Sequence, residues 1–267
     1  MTHLPNAPLI YTIGLVRFPP LPAVERFVAP FHDAVRGRMP NKDEIEIQQF
    51  LVDAGPQGMR LSQEAVRLWQ FATPQRDLAL ILSKNTLVLH TNSYRDNQTF
   101  IETFMEAFTT LVALPGIGIE WVTGVALRYV DLVGAKEGAP LDRLLVGSVL
   151  PPPFAEVGGL DIVEGAYAGQ YRSPKANVRF QVLRNPPTTL PVDLDTPLVA
   201  MNGWGVPRPA SDFAVVDTDC SAPIANLVPL DLGVVREHMY DSRCVAKSIF
   251  EHIGTDVAAA SWKGLSS

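Results

Sequence analysis

Apolar residues in the first half of the chain alternate with polar ones in short runs, and two longer stretches place them every three or four residues instead. The run 9–18 is rich in β-branched and aromatic residues, which predicts a strand. The runs 21–37 and 97–114 have the spacing of helices with one apolar face, with Pro30 as a kink and Asp96 or Asn97 as an N-cap. Further strands are predicted at 45–49, 65–71, 77–82, 87–91 and 120–133.

The second half repeats this gross order of strands followed by a long helix. A short helix is predicted from 139 to 148, and strands at 161–171, 178–184 and 213–220, separated by Pro-rich connections. The clearest helical pattern in the chain runs from 231 to 253, with Gly254 placed to cap it.

These elements predict an α+β fold of two similar-sized halves, each an antiparallel sheet packed by long amphipathic helices. The N-terminal half is 1–133, and the C-terminal half, with Pro-rich acidic loops, is 134–267. A glycine-rich phosphate loop between a strand and a helix is missing from the sequence, so nothing predicts a nucleotide or another cofactor.

Composition adds a charge preference to this picture. The chain has a net charge of −6, from 22 Lys and Arg against 28 Asp and Glu. Residues 185–235 hold one basic residue, Arg208, against six aspartates. Nucleic acids are therefore not the expected partner, because binding them requires phosphate neutralisation by Lys and Arg, whereas a basic protein suits this balance.

The apolar stretches and the cysteines bear on location. No run approaches the roughly 18 apolar residues of a membrane span, and the first residues lack the pattern of a secretory signal. Cys220 and Cys244 are too few for a disulfide scaffold. We expect a cytoplasmic protein that does not enter a membrane.

Two groups of residues invite a catalytic interpretation. His238, Asp241 and Cys244 are three residues apart on the last helix, but successive turns of one helix offer no oxyanion pocket, so we predict no catalytic residue there. The pairs Asp193/Asp195 and Asp217/Asp219 would each lie on one side of an extended backbone and could hold a divalent cation. An exposed acidic loop explains these pairs as well, and we predict no metal site.

The same acidic residues, with one aromatic residue among them, are the predicted partner-binding surface. Trp204 lies in a Gly- and Pro-containing stretch, where an aromatic side chain is often exposed and can anchor an interface. The predicted contact residues are Asp193, Asp195, Trp204, Asp212, Asp217 and Asp219.

Several short motifs resemble a sporadically distributed family of bacterial proteins of about this length. They are Pro5-Asn6-Ala7-Pro8-Leu9 at the first strand, Tyr94 with Phe100 at the helix, and Leu127-Arg128-Tyr129-Val130-Asp131 at the end of the first half. Asp131 stands where that family's run has Asn. Some members lie beside toxin genes of contact-dependent or type VI secretion systems, so the resemblance implies an immunity protein.

We therefore expect a non-enzymatic protein that binds and neutralises a cognate toxin, such as a basic nuclease. A metal-dependent hydrolase that uses the paired aspartates is the first alternative. A self-associating structural subunit, such as a homodimer, is the second.

Overall fold

The computed structural model describes residues 5–55, 58–134, 137–152, 154, 156–195 and 206–264, without the side chains of 48–64, 192 and 195. Among these residues, no helix is both long enough and apolar enough to cross a membrane.

One antiparallel sheet runs through the molecule and takes strands from both halves of the sequence. Its strands are β1 (Leu9–Arg17), β2 (Asn41–Gly55), β3 (Gly58–Ala72), β4 (Leu78–Leu82), β5 (Thr86–Thr91), β7 (Gly124–Val133), β8 (Gly165–Arg172), β9 (Asn177–Arg184) and β10 (Ala214–Ser221). Their spatial order is β2-β3-β4-β5-β1-β7-β10-β9-β8. Two short strands, β6 (Trp121–Val122) and β11 (Val228–Pro229), pair with each other as a separate ribbon.

The helices form a layer on one side of this sheet. They are α1 (Glu25–Val35), α2 (Asn97–Val112), α3 (Leu141–Leu144), α4 (Val192–Asp195), α5 (Leu232–Ile253) and α6 (Asp256–Trp262), with a 3₁₀ turn at Gly147–Val149. The longest of them, α5, packs on β7 and β10 and against α2. The exception is α4, which belongs to the segment that covers the other side of the sheet.

Side chains alternate between the two faces of the sheet along the central strands, so apolar residues cover both faces. Val16, Leu89 and Leu127 pack with α2 and α5 in the larger apolar cluster, and their side of the sheet is called the helix face below. Ile13 and Val130 point the other way, into a second cluster that includes residues of α4. This second side is called the opposite face.

The predicted α+β class with antiparallel strands is confirmed, as are most elements from 9 to 133. Asp96 is the N-cap of α2, accepting a hydrogen bond from the backbone N–H of Thr99 at 2.7 Å. The predicted strand 120–133 is two strands, because β6 pairs with β11 whereas β7 pairs with β1 and β10 of the main sheet.

A separate sheet for each half is not confirmed. β7, the last strand before the 133/134 boundary, pairs along its length with β10 of the second half. β1 lies between β5 and β7, so the centre of the sheet unites strands that are far apart in sequence.

Candidate functional site

Arg128 is the centre of a charge cluster on the opposite face of the sheet. The residue directly across from it on β10 is Asp219, and Asp217 lies two residues further along the same face. Both oxygens of Asp217 accept hydrogen bonds from Arg128, at 2.7 Å from Nε and 2.8 Å from the second terminal nitrogen. Because Asp217 is only 1% exposed, this two-point ion pair neutralises a charge inside the protein.

Asp193 closes the cluster from α4. Its carboxylate accepts hydrogen bonds from Arg128 at 2.6 and 3.0 Å and from Arg179 at 3.3 Å. The hydrogen bond from Arg128 is the main reason that the pKa of Asp193 is lowered to about 2. Burial raises the pKa of Asp219, although Arg128 and Arg179 act against that shift.

The predicted partner-binding residues are thus divided between several environments. Asp193, Asp217 and Asp219 come together around Arg128, whereas Asp212 forms its own ion pair with Arg184, at 2.6 Å. Asp217 lies inside the protein, not on its surface. The backbone of Asp195 ends α4 and its side chain is not described, and Trp204 lies outside the described residues.

The paired aspartates differ in their geometry. Asp217 and Asp219 share one side of β10, as an extended backbone requires, but Asp193 and Asp195 lie on a helical turn. The arginine hydrogen bonds already occupy both oxygens of Asp217, so this carboxylate is not free to coordinate a cation. The described residues contain no group of three or more His, Cys, Asp or Glu side chains placed to hold a metal ion.

The side chains of His238, Asp241 and Cys244, the three residues considered on α5, have different environments. Asp241 accepts a hydrogen bond from the ammonium group of Lys175, at 2.8 Å. Cys244 is exposed, whereas Cys220 is buried under α5, and burial raises the pKa of its thiol to about 12. The chain therefore has one accessible thiol among its two cysteines.

Two buried titratable groups were not predicted from the sequence. Asp131 lies on β7 below α5, and burial raises the pKa of its carboxyl to about 7 although the charge of Arg243 opposes the shift. His90 lies on the opposite face at 2.7 Å from the hydroxyl of Tyr11, and burial lowers its pKa to about 3. Both residues lie in strands that are rich in apolar residues. That sequence context indicates burial, whereas the residue types Asp and His alone do not.

A groove of about 780 Å³ lies on the helix face between α5 and the last two strands. Its apolar lining comes from α5, β8 and β9 and includes Val245, Ile249, Tyr167, Tyr171, Val178 and Phe180. Cys244 opens into this groove. A groove of this size and lining is typical of sites that bind ligands or peptides.

Exposed apolar side chains are concentrated in the stretch of chain that leads into β8 and runs along it. Of nine large apolar side chains that are exposed among the described residues, five lie between positions 154 and 171. We call them the β8 strip: Phe154, Val157, Leu160, Val163 and Tyr171. Val163 is 80% exposed, and β8 itself is the terminal strand of the sheet.

Comparison of the chain with protein-family models, with curated proteins and with solved structures gives no match.

Proposed function

We propose that this chain is a non-enzymatic protein-binding protein that acts in the bacterial cytoplasm by neutralising a cognate toxin. The β8 strip is the observation that carries the proposal. Large apolar side chains exposed so close together in the sequence are unfavourable in water unless a partner covers them, and clusters of exposed apolar surface mark interaction sites. The toxin as partner rests on the family resemblance.

The strand that carries Tyr171 and follows the other four residues of the strip adds to the suitability of this region as an interface. β8 pairs with β9 on one side and is terminal on the other, so within the described residues its outer backbone groups face away from the sheet. An unpaired edge can accept a strand from another chain, which is one recurring mode of peptide recognition.

The sequence predicts that the acidic residues form the contact with the partner. In this proposal they instead stabilise the sheet or attract the partner. Asp217 stabilises the sheet through Arg128, whereas Asp193 retains a side chain that is 54% exposed and can still meet a basic partner. Charges at the rim of an interface chiefly affect the rate of association. We therefore assign affinity to the β8 strip and long-range attraction to the acidic surface.

The test uses the whole chain and a partner identified by co-purification. Growth of a bacterial host that expresses the partner is measured with and without this chain, and rescue of growth is the expected result. A partner that binds without being toxic would leave a protein-binding function and remove the immunity role. Concentration-dependent dimerisation in light scattering, with no partner, would favour the self-associating subunit.

Matched variants locate the surface. Leu160→Asp places a charge on the β8 strip, and Leu227→Asp places one at a similarly exposed position outside it. We expect the first to weaken binding by about 10-fold or more, because a desolvated charge at an apolar contact costs over 1.4 kcal/mol, and the second by less than about 2-fold. Equal effects would contradict the assignment of the strip.

A further inference from the structure

The helix layer covers β9 but leaves part of β8 exposed, because Val178 and Phe180 are buried whereas Tyr171 is 49% exposed. α5 lies above β7 and β10, while the helix face of β8 and β9 forms the floor of the groove described above. Helices packed side by side have axes about 8–10 Å apart. One more helix at that distance from α5 would extend the existing layer over β8, the strand whose helix face is not fully buried.

The floor has a defined shape that depends on one glycine. Tyr167 and Tyr171 flank Gly169 on the same side of β8, and their hydroxyl groups hydrogen-bond to each other. A Cβ at Gly169 would lie 2.8 Å from the ring of Tyr171. The absence of a side chain there lets Tyr171 lie over the strand, while Tyr167 contacts the ring of Phe180 on β9.

The charged side chains that line the groove are basic. Among the described residues, the lining includes Arg172 and Lys175 and no acidic residue. Lys175 is paired with Asp241, which leaves Arg172 as an exposed guanidinium without an ion pair among the described residues. A ligand that complements this lining is apolar on one side and carries carboxylates beside the apolar stripe.

We propose that the groove docks an amphipathic helix of the protein partner, with acidic residues flanking its apolar stripe. The inference rests on the proposed protein-binding function, and it adds the structural class and the charge of the docked segment. Anchors spaced at three and four residues on such a helix would enter between α5 and the tyrosine floor.

Cys244 makes the groove directly testable because it is the accessible thiol and lies in the lining. The probes are two 18-residue peptides with the same leucine stripe, one flanked by glutamates and the other by lysines. Their affinities are measured by fluorescence anisotropy, and occupancy of the groove by the rate at which a maleimide labels Cys244 in the whole chain. We expect the glutamate peptide to bind about 10-fold more tightly, a difference of about 1.4 kcal/mol, and to slow labelling.

Three variants test the charge of the groove, the shape of its floor and, as a control, an arginine elsewhere on the surface. Arg172→Ala removes the exposed cation and should reduce the preference for the glutamate peptide. Gly169→Ala should weaken both peptides, because it displaces Tyr171 from the floor. Arg36→Ala changes an exposed arginine outside the groove lining and should leave both affinities unchanged.

Several outcomes would overturn the inference. The inference is wrong if the two peptides bind with equal affinity, or if neither peptide slows the labelling of Cys244. It is also wrong if dodecanoate slows labelling and the peptides do not, because the groove then binds a fatty acid. Finally, it is wrong if labelling without peptide slows as the protein concentration rises, because a second copy of the chain then covers the groove. If a captured partner still binds after Cys244 is blocked and the peptides fail, the groove inference falls and the protein-binding function stands. If the glutamate peptide binds and no toxin is found, the preference of the groove for an acidic amphipathic helix stands and the toxin-neutralising role falls.

Discussion

Arg128 extends from the middle of the sheet toward carboxylates on two other segments, Asp217 on β10 and Asp193 on α4. Burial lowers the pKa of its guanidinium, but the hydrogen bonds that it donates to Asp193 and Asp217 outweigh that effect and raise the pKa overall. The arginine therefore remains charged, and it fixes α4 on the opposite face. Replacing Arg128 alone should therefore destabilise the folded protein far more than replacing both Arg128 and Asp217 with apolar residues.

Arg128→Leu should lower the free energy of unfolding by about 3–5 kcal/mol, because it leaves the carboxylate of Asp217 buried without a cation. Urea unfolding measures the change. Arg36→Ala, which breaks an exposed pair with Asp33, should change it by less than about 0.5 kcal/mol. The double variant Arg128→Leu/Asp217→Leu should recover part of the loss, and a single-variant loss as small as that of Arg36→Ala would contradict the role of the ion pair.

Asp131 and His90 should have opposite effects on the pH dependence of stability. The pKa of Asp131 rises from 3.8 to about 7 on folding, so between these values the native state holds a proton that the unfolded state has released. Its contribution therefore decreases as pH rises. The pKa of His90 falls from 6.5 to about 3, so the unfolded state binds the extra proton and its contribution increases with pH.

Variants separate these two contributions between about pH 4 and 6.5. Relative to the wild type, Asp131→Asn should make the slope of unfolding free energy against pH more positive by about 1.4 kcal/mol per unit, and His90→Gln should make it more negative by the same amount. Urea unfolding at several pH values measures both slopes. The double variant should return to the wild-type slope, and an unchanged slope in Asp131→Asn would show that its carboxyl titrates normally.

At the scale of elements, the end of α5 depends on close contact with α6. Gly254 is the C-cap of α5, as predicted, with φ −78° and its backbone N–H donating a hydrogen bond to the carbonyl of Phe250. A Cβ at Gly254 would lie 2.7 Å from the ring of Trp262. That ring stacks on Phe250 and donates a hydrogen bond to Glu137 at 2.9 Å, so it cannot easily move.

Gly254→Ala should therefore lower the free energy of unfolding by about 1–3 kcal/mol through overpacking. Gly147→Ala is the matched control, because a Cβ there has no heavy atom within 4 Å. It should leave stability unchanged or raise it by up to about 1 kcal/mol. Thermal unfolding followed by tryptophan fluorescence compares the two, and equal effects would mean that the turn after α5 yields to accommodate a side chain.

Elements with a strong local pattern could be predicted from the sequence, and their arrangement could not. The apolar spacing of α2 and α5 and the N-cap at Asp96 are properties of a few neighbouring residues. The order of strands depends instead on distant pairings, such as β7 with β10. The site shows the same division: Asp217 and Asp219 share one side of β10 as predicted, but their partner Arg128 is 89 residues from Asp217, so spacing along the chain gives no sign of it.

At the scale of the whole molecule, the acidic character of residues 185–235 is partly cancelled by arginines from other segments. Arg128 lies on β7, and Arg179 and Arg184 on β9, next to the strand that carries Asp217 and Asp219. A local charge count omits these cations because they lie outside the segment. The charge available to a partner is consequently smaller than the sequence indicates.

The shared sheet predicts that residues 1–133 and 134–267 unfold together. Division at that boundary would separate β7 from β10 and would remove α5 from β7, which exposes Leu127, Val130 and Cys220 to water. Calorimetry of the whole chain should show one transition whose calorimetric and van't Hoff enthalpies agree. Each half expressed alone should lack that transition, and mixing the halves should restore part of it. Two separate transitions in the whole chain would instead support two domains, with the β7–β10 ladder as a contact between independently stable units.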